Sequence, residues 1–389
     1  MSRTRLAVLA LALSPLALGA CSNGDAPSAP ASDAVRAPSA SGSPSARGAG
    51  MDPHSMAGGK KILGVTTRNL YLGADLGPVM AAATPEAFVA ATTAVWATVR
   101  ANDFHLRAEA IADELAATRP GLVGLQEAYL WRVQDPGDFL AGGTTPATTV
   151  AYDYVQDLLD ALAARDLRYV VAAEVTLFDF EAPVATGQDV RMTDRGVILA
   201  RSDLTTALPG GGVYATLLPV NVLGNAVQVK RGWVSVDAKY RGEWLRFVST
   251  HLEAYHAGVR TAQAAELAAA LAAETRPVVL VGDLNSEPGT EGEAVLAGAG
   301  FRDVWAAVNG DAAGLTCCFP EDLRTGPGDP GFADLSTRID YVLVRGPAQP
   351  WSAEVVGETA AERVGGLWPS DHAGVAAEVR VTDGRHAEE

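Results

Sequence analysis

Asp283 and Asn285 follow Val278 to Val281, an unbroken apolar run closed by Gly282. In extended chain, residues two apart point to the same side, so a carboxylate and an amide leave the run together. A short β-branched run reads as a strand buried on both faces. Gly282 lets the backbone turn or approach a neighbour closely, and Pro288 with Gly289 ends the element. Polar groups at the end of a buried strand are placed for chemistry at a sheet rim, although Asp and Asn also shape turns with no further role. The same plan recurs at Leu122 to Gln126, an apolar run followed by Glu127. His251 follows the apolar stretch ending at Thr250; a His there is more often structural than catalytic. Asp340 lies inside the run Arg338 to Val344, and a carboxylate within an apolar strand needs a partner. Asp371 and His372 stand just ahead of a closing strand that reaches Arg380, and Asn69 lies near the end of the first strand.

The elements that must position these residues follow from hydrophobic periodicity. Strands are predicted over 61–71, 122–127, 167–180, 194–201, 278–281 and 338–344. An antiparallel hairpin is predicted from 227–239 and 244–250, turned near Arg241 and Gly242. Helices are predicted twice within 84–117, then over 150–164, 258–274 and 290–299. Residues 131–150, 181–192 and 316–336 read as loops, the last holding Cys317 and Cys318. Those two adjacent cysteines, as two thiols or as a strained ring, are expected to shape their loop rather than to react.

The chain has 389 residues, 48% of them hydrophobic, enough for a large core, and a net charge of −16. That balance argues against a protein built to grip nucleic acid through a basic face. It suits a site of carboxylates holding a cation. Three cysteines exclude a disulfide-stapled scaffold. Arg3 and Arg5 precede an apolar stretch from Leu6 to Leu18, too short to span a bilayer, and small residues follow. Residues 1–20 read as an export signal. Leu18-Gly19-Ala20-Cys21 resembles the lipobox of bacterial lipoproteins, in which the Cys is lipidated; the alternatives are an ordinary cleaved signal and, as a minor third reading, a cytoplasmic start at Met51 or Met56. Residues 21–60 are rich in Ala, Ser, Pro and Gly and read as a disordered tether, 61–380 as the folded domain and 381–389 as a polar tail. The protein is therefore expected to be exported and anchored to the cytoplasmic membrane through Cys21, or otherwise secreted.

Asn69, Gln126-Glu127, Ser249-Thr250-His251, Gly282-Asp283-Leu284-Asn285, Arg338-Ile339-Asp340 and Ser370-Asp371-His372 occur in this order. Together they resemble the endonuclease/exonuclease/phosphatase superfamily over about 61–380. Each motif alone is weak; six in order at strand ends are a strong signal. The resemblance implies an α+β fold, a four-layer α/β/β/α sandwich of two packed mixed sheets flanked by helices. It implies a divalent-metal-dependent hydrolase of phosphate esters using Mg²⁺ (or Mn²⁺), with water attacking phosphorus. Glu127 would hold the metal, with Asn69 as ligand or neighbour and Asp371 as a second contact. Asp340 would pair with His372. Asp283 or His372 would take the water's proton, Asn285 would donate to the phosphate, and His251 could protonate the leaving oxygen. The partner is a phosphate-ester substrate, a lipid headgroup, a nucleotide or a nucleic acid, and a monomer is expected. An extracellular nuclease is the alternative, disfavoured by the lack of a basic run. A non-catalytic surface protein is disfavoured because none of Glu127, Asp283 and His372 has been lost.

Overall fold

The computed structural model describes residues 61–382. The expected signal, Cys21 and tether lie outside the described residues, as do all but the first two residues of the tail. In chain order the elements are β1 (Ile62–Asn69), α1 (Gly77–Met80), α2 (Pro85–Ala101), α3 (Phe104–Thr118), β2 (Leu122–Gln126), β3 (Leu130–Gln134), β4 (Thr149–Asp153) and α4 (Tyr154–Ala163). They continue with β5 (Tyr169–Pro183), β6 (Asp189–Arg201), β7 (Thr205–Val213), β8 (Leu218–Val222), β9 (Asn225–Val229), β10 (Gly232–Tyr240) and β11 (Glu243–His251). Last come α5 (Ala257–Leu271), β12 (Val278–Asp283), α6 (Glu291–Gly298), β13 (Arg302–Asp303), α7 (Val304–Asn309), β14 (Asp340–Arg345), β15 (Ala348–Val356) and β16 (Gly374–Val381).

One sheet runs β15-β16-β1-β2-β6-β3-β4, with β5 also paired to β6; the other runs β13-β14-β12-β11-β10-β7. Both are mixed, each with a parallel pair inside it: β1 with β2, and β11 with β12. Side-chain alternation explains the layers. Leu63, Val65, Leu122 and Ile198 of the first sheet meet Val236, Phe247, Val279 and Val281 of the second in a dry seam. Val123, Leu125, Val197 and Leu199 point the other way, under Trp96 and Val99 of α2 and Ile111 and Leu115 of α3. On the far side Val248, Val278 and Leu280 are covered by Leu267 and Leu271 of α5 and Leu296 of α6. The result is the expected four-layer sandwich. Among the described residues no helix is long and apolar enough to cross a membrane.

Several stretches differ from the sequence reading. Residues 131–150, predicted as loop, contain most of β3 and the start of β4, and the helix predicted from 150 begins only at Tyr154, capped by Asp153. Residues 181–192, also predicted as loop, are the tips of β5 and β6. Their polarity belongs to cross-strand pairs: Glu181 stands opposite Arg191, and Arg191 Nε donates to Asp179 at 2.9 Å. β7, β8 and β15 carried no assignment; β7 is an edge strand with Pro209 and three glycines, composition that edges tolerate.

Gly124 fixes how closely the sheets approach. A Cβ there would lie 2.4 Å from Val281 Cγ2 and 2.8 Å from Ser249 Oγ. Both neighbours are stiff or engaged, so Gly124→Ala must push the sheets apart. The expected cost is about 1–3 kcal/mol, as for other overpacked cores, read as a lower urea midpoint at unchanged slope. An unaltered midpoint would refute this account of the seam.

Candidate active site

Topology brings the polar strand ends to one rim. In the first sheet Asn69 and Gln126 are register partners at the ends of a parallel pair. In the second sheet His251 and Asp283 are partners in the same way. Asp340 opens β14 directly opposite Asp283. β16 runs antiparallel to β1, with Val375 beside Thr67, so Asp371 and His372 just before it reach the same rim. Beyond the dry seam the sheets are joined by polar contacts. Gln126 Nε2 donates to Ser249 Oγ at 2.9 Å, and Asn69 Nδ2 donates to Asp283 Oδ2 at 3.0 Å.

Asp340 and His372 form a buried pair, with Nδ1 2.8 Å from Oδ2. Thr316 Oγ1 accepts the Asp340 amide at 3.2 Å, and Arg68 donates to the His372 carbonyl, so both backbones are held. The other ring nitrogen, Nε2, faces Asp283 Oδ2 at 3.9 Å. Burial opposes an imidazolium here, but the charges of Asp340, Asp371 and Asp283 outweigh it and hold the His372 pKa well above the ordinary histidine value.

Asp283 sits where Gly282, at φ +151°, packs against the Thr250 backbone; a Cβ at Gly282 would lie 2.1 Å from the Thr250 carbonyl oxygen. Its Oδ1 accepts the Asn285 amide at 2.8 Å. Burial, then the neighbouring Asp340, pushes its pKa up to about 7, against the opposing effect of His372. Asn285 takes the left-handed region at φ +48°, which Asn tolerates better than most residues, and its Nδ2 donates to the Leu252 carbonyl at 3.0 Å.

His251 has a partner that sequence reasoning missed. Arg231 Nη1 lies 3.0 Å from His251 Nδ1. A guanidinium only donates, so Nδ1 must accept and the ring proton sits on Nε2, which lies 3.4 Å from Asp283 Oδ2. Burial, then the charges of Arg231 and His372, lowers the His251 pKa well below its ordinary value. The ring is neutral, a donor rather than an acid. Arg231 is flanked by Asp194 at 3.8 Å and Glu253 at 4.0 Å. Burial raises the Asp194 pKa to about 7, with Arg231 opposing and Glu127 adding. A signal for Arg231 existed: counting back from the turn at Arg241 and Gly242 sets Gly232 opposite His251, which places Arg231 beside it.

Glu127, Asn69 and Asp371 make the oxygen-rich side. Glu127 stands in the left-handed region at φ +54°, uncommon for a residue with a side chain, and its Oε2 accepts the Leu72 amide at 2.7 Å. Asn69 is a bridge. Its Oδ1 accepts the Tyr71 amide at 2.9 Å, while Nδ2 reaches Glu127 Oε1 at 3.4 Å as well as Asp283. Burial raises the Asp371 pKa to about 6, with His372 opposing and the Glu127 carboxylate raising it further. Two carboxylates that repel across one cavity are hard oxygen donors suited to a divalent cation, so this side fits Mg²⁺. Asp283, Asp340 and His372 also place one donor atom each within 4.8 Å of one another. There His372 Nδ1 is already held by Asp340 Oδ2, while the buried Asp340 Oδ1 has no hydrogen-bond partner among the described residues.

Glu127, Asp194, Arg231, His251, Asp283, Asn285, Asp371 and His372 all line a cavity of about 320 Å³. Asn69 and Asp340 stand behind them. Cys317 and Cys318 are disulfide-paired, and Cys318 lies on the cavity wall.

A family model described as the endonuclease/exonuclease/phosphatase family matches residues 95–372. A solved endonuclease/exonuclease/phosphatase from Beutenbergia cavernae DSM 12333 is 20% identical over 84% of this chain and 74% of its own, with a TM-score of 0.52. A family protein from Bacteroides thetaiotaomicron is 16% identical over 84% of this chain and 98% of its own, TM-score 0.53. Another from Bacteroides vulgatus is 15% identical over 83% and 100%, TM-score 0.51. At these identities the likeness is one of fold. No curated protein matches the sequence.

Arg231→Gln removes a positive charge that disfavours the His251 imidazolium, so the His251 pKa must rise while burial keeps it below the ordinary value. NMR titration of the ring should show that rise. A fall, or no change, would contradict the assignment.

Proposed function

The chain belongs to the endonuclease/exonuclease/phosphatase family, whose members are largely metal-dependent phosphoesterases, and from that premise we propose that it hydrolyses a phosphate ester by direct attack of water on phosphorus. The observation that carries the reading is the set of contacts around Asp283, with Asn69 and His251 on its carboxylate, His372 facing it and Asp340 behind His372.

Asp283 takes the proton of the attacking water. A general base works best with a pKa near the working pH, and burial has moved this carboxylate there. The Asn285 amide and Asn69 Nδ2 keep it aimed. His372, held cationic by Asp340, donates from Nε2 to a phosphoryl oxygen and offsets the charge that grows on it in the transition state. His251, neutral and fixed by Arg231, offers Nε2–H as a second donor without competing for the water's proton. Glu127 and Asp371 would hold the divalent cation, which when bound would polarise the phosphoryl group and stabilise the departing oxygen.

Hydrolysis of bis(p-nitrophenyl) phosphate tests the scheme. Activity should vanish in excess chelator and return with Mg²⁺. His372→Ala and Asp283→Asn should each cost about 10²–10⁴-fold in rate with the fold intact. Adding Asp340→Asn to His372→Ala should cost little more, since the pair serves one function. Full activity in chelator would sink the metal assignment, and full multiplicativity the dyad.

We also propose that the domain is exported and tethered through a lipidated Cys21, on the strength of the Leu18-Gly19-Ala20-Cys21 pattern after a basic and apolar start. The wild-type protein should then partition into membrane fractions, and Cys21→Ala should release it or block its processing. A wild-type protein wholly soluble outside the cell would identify an ordinary signal.

A further inference from the structure

The cavity that holds the catalytic groups has a second half that the hydrolysis scheme leaves unused. Much of its lining is apolar and belongs to one packed cluster, and three separate stretches of chain build that part. Leu76 contributes with Val79 and Met80 of α1; β5 contributes Phe178 and Phe180, and β6 contributes Met192. The third wall is the β8–β9 hairpin, which pairs with neither large sheet.

The hairpin is two-faced. Val220 and Val227 are register partners, and Val222 and Val229 lie two residues from them on the same side; all four line the cavity. Pro219, Asn221, Ala226 and Gln228 on the opposite side are exposed. The turn between the strands puts Leu223 and Gly224 at φ +51° and +81°, the pairing of a type I′ turn, whose twist matches that of the strands. Two strands alone are marginal in water, so this hairpin persists by what its apolar face covers. That face borders a cavity continuous with His251 and Asp283. Among the described residues only Lys230 and Arg231 bring cationic Lys or Arg side chains to the lining, and Arg231 is engaged with His251. A polyanionic chain would find little to neutralise it there.

We propose that this half of the cavity binds an apolar alkyl, acyl-bearing or aryl group esterified to the phosphate, so that the substrate is an amphiphilic phosphate ester. The inference rests on the phosphoesterase reading above and names the substrate class of that same site. The volume of about 320 Å³ sits at the low end of small-ligand pockets, which run to about 1,000 Å³. It therefore fits a compact apolar group beside the phosphate.

The test is a binding series on the full-length protein with Mg²⁺: methyl-, butyl-, hexyl- and octylphosphonate, which cannot be hydrolysed at the P–C bond, titrated calorimetrically. The dissociation constant should fall roughly two- to fourfold per added methylene until the cavity is full. Val220→Asn should flatten that gradient; if this variant does not fold, the wild-type series alone decides. Constants that agree within about twofold from methyl to octyl overturn the proposal. Competition for butylphosphonate then separates the sources. Displacement by monomeric dihexanoylphosphatidylcholine but not by dioleoylphosphatidylcholine vesicles indicates a free ester; displacement by both indicates a lipid surface. A steep binding gradient in a protein that turns over no phosphate ester would instead reject the hydrolysis scheme and leave the apolar site standing, so the two failures are distinguishable.

Discussion

The hydrogen bond from Asn69 to Asp283 crosses from one sheet to the other, and the rest of the site depends on it. The seam between the sheets is dry along most of its length and ends in polar contacts, first Gln126 with Ser249 and then Asn69 with Asp283. Those contacts have good geometry only if the sheets are correctly spaced and correctly slid along one another. Spacing is set by Gly124 against Val281, and sliding by interdigitated side chains such as Phe247. The apolar core thus acts as the jig that aligns two sets of strand ends.

Charge is the second constraint. Glu127, Asp194, Asp283, Asp340 and Asp371 meet at one rim, and uncompensated buried carboxylates are costly. His372 answers Asp340, and Arg231 answers Asp194 and Glu253. The pKa values of Asp283 and Asp371 are pushed up, and the unanswered charge lies on the cavity side. The two histidines diverge for the same reason. One is set among carboxylates and kept charged, the other is set against a guanidinium and kept neutral.

Much of this was legible in the sequence because the informative residues sit at the ends of unbroken apolar runs. Val278 to Asp283, Leu122 to Glu127 and the hairpin turned at Arg241 and Gly242 were readable on that basis. The tips of β5 and β6 were not, because Arg191 pairs with Asp179 across strands and Glu181 stands opposite Arg191 while accepting the Ala147 amide, polar residues that look like loop when read singly. Arg231 was visible only as part of a basic dipeptide; its role depends on a register that the sequence states indirectly. The β8–β9 hairpin was missed because Pro219 and Asn221 make β8 imitate a loop, and the end of β9 was read into the strand predicted over 227–239, which in fact starts at Gly232.

That hairpin has a consequence for how such a protein can diverge. The proton-handling residues sit on, or just before, strands locked into the eight- and six-stranded sheets, where change in one residue disturbs many neighbours. The inward valines sit on a separate unit whose backbone bonds are its own. A lineage could rewrite Val220 or Val227, or exchange the whole ribbon, and meet a new compound while the hydrolytic apparatus stayed as inherited. Selectivity and reactivity would then evolve on different clocks within one domain.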